Sequence, residues 1–417
     1  MTGLRAPGFD ARAVRDRALR GTAAVFPDTA DYGRTLYGAG LPVPGDALDA
    51  ARLVPPVFMP RRLEKLIELG REPLHTDVDL TATVGGFRAA LPVYLSAFGS
   101  TQVASADLGL AVSRQAAGLG LPMVIGENVV PVNGYGRLDP DAGSSLVGRI
   151  RAYADHAVDG FGGVVVQQST EDADAEVWNL VYSDPSALPL LESGRLAFEL
   201  KVGQGAKPGL GGMTVLSAEA AALLGGQFAL DPVFGDDPVL RCASPGTFTD
   251  EILRQQIRFM RNNFPRARVW VKLHPGRDVA DAAGVAWAAG ADAVTVDGAE
   301  GGTGWAPVPF LDHVGLPLAE CLRRIGRPAG DLLATGRIWE GTRALKCLAL
   351  GASAVGLGRA ALLAADADPG LGLVRLVEAL ALELRLLISA LGKYSVPDVG
   401  PEDVWTPTAP ERQEHLV

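Results

Sequence analysis

The sequence predicts an α/β protein, a (β/α)₈ TIM barrel preceded by an N-terminal extension. Three observations carry that prediction. From residue 91 onward, short apolar runs of strand length alternate with helical patterns. Eight such runs can be counted. The loops after the second, fourth and sixth hold the Gly, Lys, Gln and Glu residues that a closed barrel would gather at one mouth.

The strands are expected at 91–98, 122–125, 163–168, 196–202, 269–273, 292–296, 332–334 and 354–357, short stretches in which apolar and β-branched residues predominate. Helices are expected at 104–118, 145–156, 250–263, 278–289 (alanine-rich, with Asp278 as a capping residue), 341–350 and 371–391. Ahead of the barrel, 10–20 reads as a helix and 27–60 as a Gly- and Pro-rich wrap. A short amphipathic helix follows at 61–69, and the alternation over 76–85 suggests a small hairpin. The division is therefore an extension over 1–90, a barrel over 91–395 and a tail over 396–417. The segment 203–249 is a long excursion between the fourth strand and the next helix.

Composition narrows the function classes. The chain has 417 residues, 48% hydrophobic and 21% charged, as in a globular enzyme-sized protein rather than a disordered one. A net charge of −10, with no basic cluster, argues against a nucleic-acid partner. The run 371–391 is broken by Arg375, Glu378, Glu383 and Arg385, so it reads as a core-facing helix, and no membrane association is expected. Residues 1–20 carry charges throughout, unlike a signal peptide, and a cytoplasmic location is expected. Cys242, Cys321 and Cys347 show no metal-ligand spacing and read as buried small hydrophobes; no metal site is expected.

Chemistry concentrates in a few segments. Residues 269–307, VWVKLHPGRDVADAAGVAWAAGADAVTVDGAEGGTGWAP, read as strand, helix, strand and a loop of small residues. Gly301, Gly302, Thr303 and Gly304 would let backbone N–H groups approach a phosphate, and Thr303 adds a hydroxyl. Only six lysines occur in the chain, and Lys201, Lys207 and Lys272 fall in such segments.

These motifs resemble the FMN-binding, glutamate-forming domain of the glutamate synthase family. KVGQGAKPGLGG at 201–212 is similar to that family's most distinctive loop, and DGAEGGTGWAP at 297–307 to its phosphate loop. LSAFGS at 95–100 and Gly126-Glu127-Asn128 resemble the first two mouth loops. GRIWEG at 336–341 with LALGASAVGLG at 348–358 resembles the last, which many FMN barrels share. The resemblance spans about residues 91 to 363.

The resemblance implies an FMN site assembled from these segments. The FMN phosphate would lie against Gly302, Thr303, Gly304, Gly336, Gly356, Gly358 and Arg359, and the ring against the backbone of Ser96, Ala97 and Phe98. Gly126 belongs to the same mouth. Lys272 would stand near the N1–C2=O edge, where a cation stabilises the reduced ring, and Gln167 would meet the pyrimidine edge. Glu127, Lys201, Gln204 and Lys207 would face the substrate. Lysines pin a carboxylate so that its carbon sits over N5 for hydride transfer, and the glutamate relays a proton at nitrogen.

Departures shape the expected function. No cysteine follows Cys347, so the family's iron–sulfur cluster has no ligands, and an amidotransferase segment is not expected. Trp339 stands where related barrels often have a basic residue. The reading is an FMN-dependent oxidoreductase acting on a C–N bond of an amino-acid-like small molecule, by amine oxidation or imine reduction. Two others stay open: an FMN-binding subunit of a larger assembly served by an electron-transfer partner, and a non-redox flavin isomerase. A homo-oligomer is equally open.

Overall fold

The computed structural model describes residues 4–21, 47–98, 108–130, 134–137, 143–170, 175–205, 207, 214–224, 229–231, 239–242, 248–302 and 313–407. Eight parallel strands close into a barrel: β1 Val93–Phe98, β2 Pro122–Ile125, β3 Gly163–Ser169, β4 Leu196–Lys201, β5 Arg268–Leu273, β6 Ala293–Asp297, β7 Asp331–Thr335 and β8 Ala354–Leu357, with β8 pairing back onto β1. The expected barrel is thus present, each strand within about two residues of its predicted span.

The outer faces of the strands pack under helices that include α1 Leu108–Gly118, α2 Leu146–Ala154, α3 Ala175–Ser183, α4 Asp250–Asn263, α5 Val279–Ala289, α6 Leu318–Ile325, α7 Gly341–Ala349, α8 Arg359–Ala367 and α9 Gly372–Ala390. Local chemistry sets their ends. Thr249 caps α4 by accepting from Ile252 N, and Ser145 caps α2 by accepting from Gly148 N. Asp278 occupies the N-cap position of α5, but its side chain makes no capping bond. Helices α3, α6 and α8 are additional to the expected elements, and residues 104–107 of the first expected helix lie outside the described set.

Inside the barrel the side chains change character along the axis. At the amino end Tyr94, Val124, Val165, Ala197, Trp270, Ala293, Leu333 and Ala354 form an apolar layer. A hairpin of Ala82–Val84 and Phe87–Ala89 plugs that end, turning through Gly85 and Gly86 at φ 55° and 85°. Two successive positive φ values define a tight hairpin turn. Trp270 donates from Nε1 to Gly85 O at 3.0 Å, and its ring lies so close that a Cβ on Gly85 would stand 2.2 Å from it. The plug leaves only the carboxyl end of the barrel for a site.

The termini tie onto this body. Helix Ala11–Arg20 packs Val14 and Ala18 against α8 and α9, and Arg17 pairs with Glu383. Arg52–Leu53 pairs antiparallel with Val404–Trp405. Within the excursion, Thr214–Leu216, Ala229–Asp231 and Val239–Cys242 build a three-stranded antiparallel sheet that is not among the expected elements. Among the described residues, no helix is long and apolar enough to cross a membrane.

Candidate active site

Above the apolar layer the inward side chains become polar: Ser96, Gln167, Glu199, Lys201, Lys272, Thr295, Asp297 and Thr335. Side chains alternate along a strand, so residues two apart share the barrel interior. Several of them sit two positions beyond an apolar one, as Glu199 does after Ala197, Lys272 after Trp270, and Thr295 after Ala293.

Two buried groups organise this layer. The Lys272 ammonium lies 3.4 Å from Asp297 Oδ2, with side-chain exposures of 5% and 4%. Burial alone would lower the Lys272 pKa, but the charges of Asp297, Glu199 and Glu127 outweigh it and raise the ammonium above its ordinary value. Glu199 accepts from Gln167 Nε2 and from Thr295 Oγ1, the latter at 3.2 Å. Desolvation pushes its carboxyl upward, partly offset by Lys272. Gln167 Oε1 is buried and finds no hydrogen-bond partner among the described residues.

At the mouth Lys201, the last residue of β4, pairs with Glu127 from the loop after β2. Burial would raise the Glu127 carboxyl, but Lys201 brings it below the usual carboxylate range. Burial, with the nearby Lys201 charge, lowers the Lys207 ammonium. Lys207 is held by a turn in which its N–H donates to Gln204 O at 2.9 Å and Gln204 N–H donates to its carbonyl at 3.2 Å.

The loops after β4 and β6 lie directly on one another. Gly205 N donates to Asp297 Oδ2 at 3.1 Å, and Gln204 Nε2 reaches Gly302 O at 3.5 Å. A Cβ on Gly301 would stand 2.2 Å from Asp297 Oδ1, and one on Gly302 would stand 2.8 Å from the Arg359 stem. Arg359, the first residue of α8, donates to Glu300 O at 2.7 Å and lies over the Phe9 ring. Gly302 and Arg359, singled out from separate motifs, are therefore neighbours.

The other expected positions distribute as follows. Ser96 Oγ stands 3.4 Å from Thr335 Oγ1, inside the mouth. Ala97 is half-buried beside it, and Phe98 ends β1, its side chain outside the described set. Gly126 is buried directly after β2. Gly336 has φ 142° and its carbonyl accepts from Arg343 Nε at 3.1 Å. Gly356 faces the interior, where a Cβ would stand 2.7 Å from the Tyr94 ring, whereas Gly358 caps α8. Thr303 and Gly304 lie outside the described residues. Trp339 is stacked beneath the Arg17 guanidinium.

Four further groups were not named from sequence. Glu199, Thr295 and Asp297 sit on strands whose apolar runs hid them; counting two residues back from Lys201 would have exposed Glu199. Arg343, fully buried, reaches Asp49 Oδ1 at 3.1 Å and Glu300 Oε1 at 3.5 Å, a tertiary relationship with no sequence signal. Cys321 and Cys347 are buried, and burial pushes the Cys321 thiol up to about 12.

The closed barrel with a plugged amino end and a charged carboxyl-end mouth places the protein among TIM barrels whose chemistry sits on the loops that follow the strands. Its fold is similar to a chimera of (S)-mandelate dehydrogenase, with TM-score 0.58 and 18% identity over 96% of this chain and 99% of that one. It is also similar to flavocytochrome b2, at TM-score 0.55 and 18% identity over 86% and 76%. Residues 190–368 match the family model for the conserved region in glutamate synthase. The matched segment, less than half of the chain, contains the β4 loop, β5, β6 and the α8 start described above. Among relatives, it is 36% identical over 176 residues to the archaeal-type glutamate synthase [NADPH] of Thermotoga maritima, covering 40% of this chain and 34% of that protein. A glutamate synthase large subunit-like protein of Rhizobium meliloti is 36% identical over 183 residues, 42% of this chain and 40% of its own length. The match spans about a third of the first of these relatives.

Proposed function

We propose that this protein is an FMN-dependent oxidoreductase acting on a C–N bond of an amino-acid-like substrate. The observation that carries the reading is the buried Lys272 standing in the same polar layer as Gln167, whose Oε1 has no partner among the described residues. A cation and an acceptor without a donor, at the mouth of a barrel, suit the pyrimidine edge of an isoalloxazine. The structurally similar proteins support the cofactor class, since one is a mandelate oxidase variant described with a monooxide FMN adduct, at TM-score 0.54 and 21% identity.

The residues present fit the group. Gln167, Lys272 and the β1 end at Ser96, Ala97 and Phe98 would hold the ring. Gly301, Gly302, Thr303 and Gly304, with Gly336, Gly358 and Arg359, would hold its phosphate. Gly356, being interior, would serve by leaving room beside Tyr94 rather than by touching phosphate. Bound there, FMN supplies two-electron exchange with the substrate's C–N bond.

The chain's own side chains have separable tasks in this scheme. Lys201 and Lys207 pin the substrate carboxylate, and Gln204 orients it from the same turn. Glu127, ionised beside Lys201, takes or returns a proton at the substrate nitrogen. A substrate carboxylate arriving at Lys201 would compete with Glu127 for the ammonium and free that carboxylate for its work. In amine oxidation the two electrons would pass through FMN to oxygen or a protein partner, and in imine reduction a reduced protein partner or a reduced nicotinamide would supply them; the name of the Thermotoga maritima relative specifies NADPH for that protein.

Purification and a visible spectrum test the cofactor. The expected result is a yellow protein, or one that takes up added FMN and turns yellow. A colourless protein indifferent to FMN would overturn the reading. Anaerobic bleaching by a panel of amino acids then tests amine oxidation, and a flavin that none of them bleaches would count against that direction.

A further inference from the structure

Gln167 could present either end of its amide to the barrel mouth, and the structure contains the group that decides which. Its Nε2 donates to Glu199 Oε2, while Glu199 Oε1 is occupied by the Thr295 hydroxyl at 3.2 Å. Gln167 and Glu199 are both 1% exposed, so neither can trade these bonds for water. Turning the amide over would set Oε1 against a carboxylate oxygen, acceptor facing acceptor, and would leave two buried N–H groups elsewhere. The consequence is visible at the other end of the same amide, where Oε1 stands buried without a donor among the described residues.

We infer that Glu199 is a positioning residue that fixes the Gln167 amide, so that the mouth offers a carbonyl acceptor and selects a ligand edge carrying an N–H. The inference rests on the flavin reading, in which that edge is the imide of the pyrimidine ring. Glu199 touches neither cofactor nor substrate in this scheme; it acts through Gln167. Thr295 supports it by occupying the second carboxylate oxygen, and the Lys272 charge helps keep a carboxylate in so dry a place. No property of Glu199 taken alone, in the run LAFELK, announces this task.

The test uses the full chain loaded with ¹⁵N-labelled FMN and reads the imide proton by proton–nitrogen NMR, alongside FMN affinity. In the wild type the imide proton is expected downfield and protected from exchange. E199Q can donate as well as accept, so the Gln167 amide is released. The imide resonance should then move upfield, its exchange should quicken, and FMN affinity should fall roughly tenfold, the scale of one buried hydrogen bond. Q167L should produce the same loss, and E199Q should add nothing further in the Q167L background.

Retention of the wild-type imide signal in E199Q would overturn the inference, as would an E199Q effect of equal size in both backgrounds, which is what a merely structural glutamate would give. Should E199Q fail to fold, the comparison of wild type with Q167L decides alone, and an unchanged imide signal there rejects the proposal. A wild-type protein that binds no FMN rejects the flavin reading itself, a result distinct from FMN bound with an unprotected imide.

Discussion

The Lys272 ammonium and the Asp297 carboxylate face each other at 3.4 Å from adjacent strands, both buried beneath the point where the β4 and β6 loops touch. Asp297 also accepts from Gly205 N, so one carboxylate ties the candidate catalytic lysine to the loop that carries Gln204 and Lys207. Removing either member leaves a charge in a dry layer.

K272M is accordingly expected to destabilise the fold by about 3–5 kcal/mol, because Asp297 and Glu199 lose their shared cation. Urea unfolding of wild type and variant measures this. A loss below about 1 kcal/mol would show that the pair is far better solvated than its burial implies.

The pH dependence follows from the shifts in opposite directions. Lys272 is raised above 10.5, so its contribution to stability is complete below pH 10.5 and disappears as pH climbs through its higher folded value. Glu127 is lowered below 4.5, so its contribution is present above pH 4.5 and is lost as pH falls through its lower folded value. Unfolding free energy should therefore decline at both extremes. E127Q should flatten the acid limb and leave the alkaline limb in place; an unaltered acid limb in E127Q would remove Glu127 from this account.

Glu127 is also the proposed proton carrier. E127Q is expected to keep FMN uptake near the wild-type level while slowing substrate bleaching of the flavin by about 10²-fold or more. Stopped-flow absorbance under anaerobic conditions separates the two. Equal bleaching rates would assign Glu127 to the Lys201 ion pair alone.

The plug at the amino end makes a separate prediction. G85A places a Cβ 2.2 Å from the Trp270 ring at a φ of 55°, and is expected to cost about 3 kcal/mol or more. G160A, at φ 72° with no atom within 4 Å of its Cβ, should cost only about 1 kcal/mol. Thermal or urea denaturation of both checks the contrast, and equal losses would mean that backbone conformation rather than the Trp270 contact dominates at Gly85.

The strands were legible because buried parallel strands carry short stretches dominated by apolar and β-branched residues, as the Val164–Val166 run and AVGL at 354–357 do. Helix α4 was read at its observed bounds because Thr249 and the acidic first turn mark its start. Helix α8 was not read, since Arg359–Ala367 follows β8 without a capping side chain and is almost uniformly small and apolar. The small antiparallel sheet of the excursion escaped for a similar reason: strands of three and four residues fall below the length at which alternation can be seen.

In the site, the lysines and glycines stood out because such residues are scarce or conformationally special, and a pattern of scarce residues survives in one dimension. Glu199, Thr295 and Asp297 did not, because what distinguishes them is the direction in which they point. The sequence by itself determined the alternation of strand and helix, and with it a barrel whose loops gather Glu127, Lys201, Lys207 and Lys272 at one end. Only the tertiary structure decided which charges meet: Lys272 with Asp297, Lys201 with Glu127, and Gln167 turned by Glu199. Pairing across a closed barrel depends on strand register and on the dryness of the interior, and both arise only when all eight strands are in place.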